Sequence, residues 1–209
     1  MAISRPNSAT AWIAAVTILV SALAILFAYE TAITAGGFIP ARLSGLVDVT
    51  PAVPALLTPW TSALLHGGWL HLGINMVMLG LVGRQVERVV GASGLVIAYV
   101  VGALVASAAQ FFASPSSLVP MVGASGAISA LFGLFAIFFG QPKQVTKSQK
   151  VNRWIHVAWL LAAWIVIQLM AEMLAGGQGV LLATPAHIGG FVAGLLLHRP
   201  LLMWRYRGA

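Results

Sequence analysis

Residues 89–142 read VVGASGLVIAYVVGALVASAAQFFASPSSLVPMVGASGAISALFGLFAIFFGQP, fifty-four positions without a charge. About 20 apolar residues suffice to carry a helix across a bilayer, so this stretch is far too long for one crossing. Ser114-Pro115-Ser116-Ser117 and Pro120 break it. The break predicts one span near 93–113 and another near 123–140.

Working outward, charge marks the other spans. Toward the N-terminus, about 68–83 is a span stopped by Arg84, Glu87 and Arg88, and residues 11–29 are an uncharged first span between Arg5 and Glu30. A signal peptide ending near 31–36 is the rival reading of that segment, but its apolar core is long for an h-region. Residues 30–65, with Pro40, Pro51, Pro54, Pro59, Glu30 and Asp48, read as a long loop with Trp60 as an interfacial anchor. Toward the C-terminus, Lys143, Lys147, Lys150 and Arg153 mark a polar linker, and Trp154–Ala171 is a fifth span ended by Glu172. The turn Gly176-Gly177-Gln178-Gly179 leads into a sixth span, about 185–203. The expected organisation is a short cytoplasmic N-terminus (1–10), one six-helix transmembrane domain (11–205) and a cytoplasmic C-terminus (206–209).

Composition agrees. The chain has 209 residues, 60% hydrophobic and only 7% charged, with a mean hydropathy of +0.96. A soluble domain carries roughly 25% charged residues, so a soluble enzyme, a disordered segment and a nucleic-acid module are excluded together. The net charge of +7 does not restore a nucleic-acid reading, because the basic residues flank apolar segments. The absence of cysteine removes disulfides, thiolate metal sites and cysteine nucleophiles. The expected class is therefore an all-α, multi-pass membrane protein in contact with the lipid bilayer.

Orientation follows from the distribution of Lys and Arg. Arg5, Arg84, Arg88, Lys143, Lys147, Lys150, Arg153, Arg199, Arg205 and Arg207 fall on one side, and Arg42 alone on the other. Ten against one predicts a cell-membrane protein with both termini cytoplasmic.

Polar groups within a bilayer are costly and mark function by default. His66, His71 and Asn75 lie in His-Gly-Gly-Trp-Leu-His-Leu-Gly-Ile-Asn-Met at the start of the second span. Ser125 lies in Gly123-Ala124-Ser125-Gly126 at the start of the fourth, and His187 at the start of the sixth. Even-numbered spans run inward, so these groups converge at the outer end of the bundle. Ser125, Ser129 and Gly133 repeat every four residues, as do Gly190 and Gly194. Small residues at that spacing permit close helix approach, which would bring Ser125 to His187. A serine beside a neutral histidine is an activated nucleophile, and no acid is placed to complete a triad. His71 and Asn75 share a helical face. With the Ser125 backbone N–H they could form an oxyanion hole.

Gly-Ala-Ser-Gly also occurs at 91–94, but Ser93 belongs to the cytoplasmic end of a span, across the membrane from His187. Singly, a membrane serine or histidine usually serves packing or helix–helix hydrogen bonding. The whole set at one depth favours chemistry. A zinc protease would need His-Glu-x-x-His, and an aspartyl protease two membrane aspartates. A proton-coupled transporter stays open, without an intramembrane carboxylate or an inverted repeat to favour it. His156 and His198, toward cytoplasmic helix ends, are assigned no chemistry.

From Thr61 to His198 the chain resembles the rhomboid intramembrane serine proteases. The likeness rests on the 66–76 motif, on Gly-Ala-Ser-Gly at 123–126, and on Ala186-His187 followed by Gly190 and Gly194. It implies a bacterial-type six-helix core, Ser125 as nucleophile, His187 as general base, and His71 and Asn75 as oxyanion donors. It implies that His66 is structural, that no cofactor or metal is used, and that the substrates are transmembrane proteins cut near helix-destabilising residues. The alternative is an inactive rhomboid-like protein that binds membrane helices without cutting them. Two departures stand out. The Trp-Arg pair frequent in the family's first loop is Trp60-Thr61 here. Position 129, often an aromatic ring that stacks on the catalytic histidine, is serine.

Overall fold

In the computed structural model, which describes residues 8–140, 143–174 and 183–208, the first crossing is α1 (Ala9–Phe27). Its exposed N-terminal amides are met from two directions. The Ser8 hydroxyl accepts from Ala11 N–H at 3.1 Å. The Glu87 carboxylate accepts from the amides of Ala9 and Thr10 at 2.8 and 3.1 Å and from the Thr10 hydroxyl at 2.6 Å. A carboxylate there also complements the positive end of the helix dipole. Arg5 lies outside the described residues.

The segment expected as a plain loop contains short helices: α2 (Tyr29–Gly36), α3 (Pro40–Leu43) and α4 (Thr58–Thr61). Trp60 holds it on the bundle by donating its indole N–H to the Val100 carbonyl at 3.0 Å. The indole is therefore a tether within the protein.

Next come α5 (Trp69–Met78), a π-helical stretch over Leu79–Gly83, and α6 (Arg84–Ala113). The helical path from Trp69 to Ala113 is 45 residues long, enough for two crossings, and it folds back at Gly91, where φ is +77°. Only glycine adopts that backbone cheaply. The helix does not stop at Arg84 as expected. Val86 and Val90 extend the buried face begun by Leu79 and Val82, while Arg84 and Arg88 stay exposed. Apolar burial on one side carries the helix past the charges on the other.

The remaining crossings are α7 (Ser125–Phe138), α8 (Gln149–Leu174) and α9 (Thr184–Arg205). Helix α8 begins earlier than the expected Trp154, because Asn152 Oδ1 accepts from the amides of Val145 and Thr146 at 3.2 and 2.8 Å and tucks the linker onto the helix. The turn at 176–179 lies outside the described residues. The result is an all-α, polytopic membrane bundle, with one isolated β-bridge, Phe38 to Met121, among the described residues.

Helix α7 is central. Nine of its fourteen residues are buried, and it packs against α6, α8 and α9. Fourteen residues rise only about 21 Å, short of the roughly 30 Å hydrocarbon core. Irregular chain must therefore reach inward to begin it. Such backbone is tolerated at depth when its polar groups are bonded within the protein, and several are. Phe38 and Met121 exchange N–H···O bonds of 2.9 and 2.8 Å, and Gly123 N–H donates to the Ser62 carbonyl at 2.9 Å.

Candidate active site

Ser125 is the first residue of α7 and is buried. Its position is set by the two residues before it. Gly123 has φ +124°, and a Cβ there would come within 2.8 and 2.9 Å of the His71 ring atoms Cε1 and Nε2. Ala124 N–H donates to His66 Nε2 at 3.3 Å.

His187 lies in the first turn of α9, buried, with Nε2 2.8 Å from Ser125 Oγ. The approach depends on missing side chains. A Cβ on Gly190 would run into the Gly126 carbonyl, one on Gly194 into that of Ala130, and one on Gly133 into that of Phe191. Gly126 plays the same part against α6, where a Cβ would sit 2.7 Å from that of Ala106. These glycines allow backbone-to-backbone packing, the usual means of joining helices in lipid. For Ser125 Oγ to donate, Nε2 must be bare and Nδ1 must carry the hydrogen. Nδ1 is buried and has no hydrogen-bond partner among the described residues.

Two further histidines have their tautomers set by neighbours. His66 lies just ahead of α5. Its Nε2 accepts from Ala124 N–H at 3.3 Å, which an imidazolium could not do, so the ring is neutral. Because Nε2 accepts from Ala124, Nδ1 carries the hydrogen and faces Ser21 Oγ at 2.8 Å, and that hydroxyl donates to the Leu64 carbonyl at 2.7 Å. All of its polar atoms are engaged. His71 is different. Gly67 N–H approaches its Nδ1 at 3.4 Å, which places the ring hydrogen on Nε2, the atom beside Gly123. The point that a Cβ of Gly123 would occupy is 2.9 Å from His71 Nε2 and 3.7 Å from Ser125 Oγ. A donor thus flanks the nucleophile.

Asn75 is fully buried one turn further along α5. One N–H of its amide is turned back on the His71 carbonyl at 2.9 Å, and its Oδ1 has no partner among the described residues. Beside Ser125 is a cavity of about 20 Å³, lined by Ser62, Ser107, Gly123 and Ala183 among others. That is room for one water molecule. Among the described residues no three His, Asp or Glu side chains converge as a metal site would require. Ser93 is exposed at the far end of the bundle, two residues from the Gly91 corner against which the Arg205 guanidinium rests.

One neighbour was not legible as a site residue. Trp164, in mid-α8, lies with its ring centroid 6.3 Å from that of His187 at an interplanar angle of 70°. In the sequence it is one more apolar residue of the fifth span. The available signal was position, since tryptophan favours the membrane interfaces and a buried one needs a partner for its N–H.

The fold and site define a multi-pass membrane protein in which a buried serine and histidine share a hydrogen bond at the starts of two helices, an arrangement able to perform acyl transfer. The family model of the Rhomboid domain matches residues 55–204, and the chain belongs to the rhomboid family. It is 31% identical over 140 residues to RHOMBOID-like protein 5 of Arabidopsis thaliana, covering 66% of this chain and 42% of that one. To Rhomboid protease GlpG of Pectobacterium atrosepticum it is 29% identical over 175 residues, 79% of this chain and 58% of the relative. To Rhomboid protease GluP of Bacillus subtilis it is 29% identical over 140 residues, 66% and 24% of the two. The chain thus spans less than two thirds of the length of these relatives.

Proposed function

We propose that this protein is an intramembrane serine endopeptidase that cleaves transmembrane segments of membrane proteins. The observation that carries the reading is the 2.8 Å contact between Ser125 Oγ and His187 Nε2 at the start of a helix too short to reach the membrane surface. Ser125 Oγ attacks the scissile carbonyl carbon as its proton passes to His187 Nε2. The oxyanion is held by the Ser125 backbone N–H, His71 Nε2–H and the free N–H of the Asn75 amide. Donors fixed where charge develops are worth most in a dry site. The intermediate collapses, the C–N bond breaks, and His187 returns the proton to the leaving amine. Water, for which the 20 Å³ cavity beside Ser125 has room, then gives a proton to His187 and attacks the acyl-enzyme. The acid product leaves and Ser125 regains its hydrogen.

The test is cleavage of a generic transmembrane substrate by purified protein in detergent, beside Ser125→Ala. Cleavage lost in the variant is the expected result. Intact substrate with both proteins, together with retained substrate binding, would favour the non-cutting binder, the reading to which a His187 Nδ1 without a partner among the described residues lends weight.

In the same reading, residues 11–205 act as one membrane domain in the cell membrane with both ends cytoplasmic, supported by the ten-to-one basic count. A cysteine at Gln149 should be protected from an impermeant thiol reagent in intact cells and one at the exposed Ser116 labelled. The opposite pattern would invert the orientation.

A further inference from the structure

His187 makes one hydrogen bond, to Ser125, and its Nδ1 makes none among the described residues. A single bond at one ring atom leaves the imidazole free to rock about the axis through its Cβ, so something else must hold it. Helix α8 carries three tryptophans whose surroundings differ sharply. Trp154 and Trp159 are 51% and 63% exposed, whereas Trp164 is 1% exposed.

The buried indole is locked. Its Nε1–H donates to Ser129 Oγ at 2.7 Å, and Ser129 Oγ donates in turn to the Ser125 carbonyl at 2.7 Å. Phe132 stacks on the indole, with centroids 4.4 Å apart at 23°. An unbroken relay therefore runs from the indole through one hydroxyl to the backbone of the nucleophile, and the same indole stands beside the base. Ser129 spends its hydrogen on Ser125 and a lone pair on Trp164. The two ends of the Ser125–His187 pair are thus referenced to one rigid aromatic group on a third helix.

We propose that Trp164, held by Ser129, is the positioning residue of the Ser125–His187 pair. The inference rests on the protease reading above. The indole, edge-to-face with the imidazole, limits its rocking. It touches no substrate, so it acts on turnover and leaves binding alone.

The experiment uses the full chain in detergent and measures two quantities: the rate at which a fluorophosphonate labels Ser125, and kcat and KM on a transmembrane substrate. Trp164→Leu should lower the labelling rate and kcat together by roughly tenfold to a hundredfold, the cost of a small misplacement of reacting groups, with KM unchanged. Trp159→Leu, the same change at an exposed position of the same helix, should leave both at wild-type values. Trp164→Phe and Ser129→Ala each remove the indole–hydroxyl bond and should each lose roughly fivefold, the worth of one neutral hydrogen bond. Ser129→Ala also loses the bond to the Ser125 carbonyl, so the double variant should be no slower than Ser129→Ala alone, because the indole–hydroxyl bond is shared. This cycle decides the matter even if Trp164→Leu folds poorly. Wild-type labelling in Trp164→Leu, additive losses in the cycle, or a loss confined to KM would each overturn the inference while leaving the protease reading intact. A wild-type protein that never labels at Ser125 would overturn that reading and the inference with it.

Discussion

Helices α1 and α7 are both strongly apolar, yet they are built inside out from one another. The buried residues of α1 are Thr10, Thr17 and Ser21, while Trp12, Leu19, Leu23 and Leu26 face outward. Helix α7 buries Ile128, Leu131 and Leu134 together with Ser125, Ser129 and Gly133. In water such an α1 would be impossible. In lipid, the tails are as apolar as leucine, so apolar contact alone gives helices little reason to associate. Polar bonds and close backbone approach must do it. Helix α1 uses the first device, bonded at its N-terminal end to Glu87 and further along to His66. Helix α7 uses the second, with glycines of α9 set against its backbone.

The largest expected effect breaks the α7 device. Gly194→Leu puts a side chain where the Ala130 carbonyl lies, and overpacking of this kind costs more than about 1–3 kcal/mol when backbone must move. Proteolytic activity should vanish and the melting temperature should fall. An active, stable variant would show that α7 and α9 are not held by backbone contact.

Next come the proposed oxyanion donors. His71→Ala and Asn75→Ala should each reduce kcat by roughly 10²–10³, the usual cost of one such donor, with little change in melting temperature. Wild-type turnover in both would leave the Ser125 N–H as the sole donor.

A smaller effect tests the α1 device. Ser21→Ala deprives His66 of its Nδ1 partner, and interhelical polar bonds in membranes are worth about 0.6–2 kcal/mol. The variant should lose about that much stability. Activity should fall only modestly, because His66 still holds Ala124 N–H. No loss of stability would mean that α1 docks by shape alone.

The smallest effect completes the contrast. Leu19→Val and Leu23→Val, on the exposed face of α1, should change stability by less than about 0.5 kcal/mol. A larger loss in detergent would mean that this face is covered by protein.

The extent to which the molecule could be read in advance follows the same division. The apolar helices were legible because lipid imposes one requirement, a run of uncharged residues, that needs no knowledge of neighbours. Their ends were less so. Arg84 looked like a stop, yet the helix continues, because a buried face formed by Val86 and Val90 cannot be recognised without knowing what covers it. Ser125 and His187 could be paired by topology, since alternate spans place their starts on one side. The tautomers of His66 and His71 could not, because each depends on a backbone N–H contributed by chain geometry.

Position 129 separates the two kinds of knowledge most cleanly. The sequence alone determined a multi-pass helical protein and the absence of an aromatic ring four residues after Ser125. Local composition and helical period suffice for all of that. That an indole from α8 stands beside His187, bonded to the hydroxyl at 129, was decided only by tertiary structure. The contact joins residues thirty-five positions apart, through a packing of α7 against α8 that no periodicity within either helix encodes.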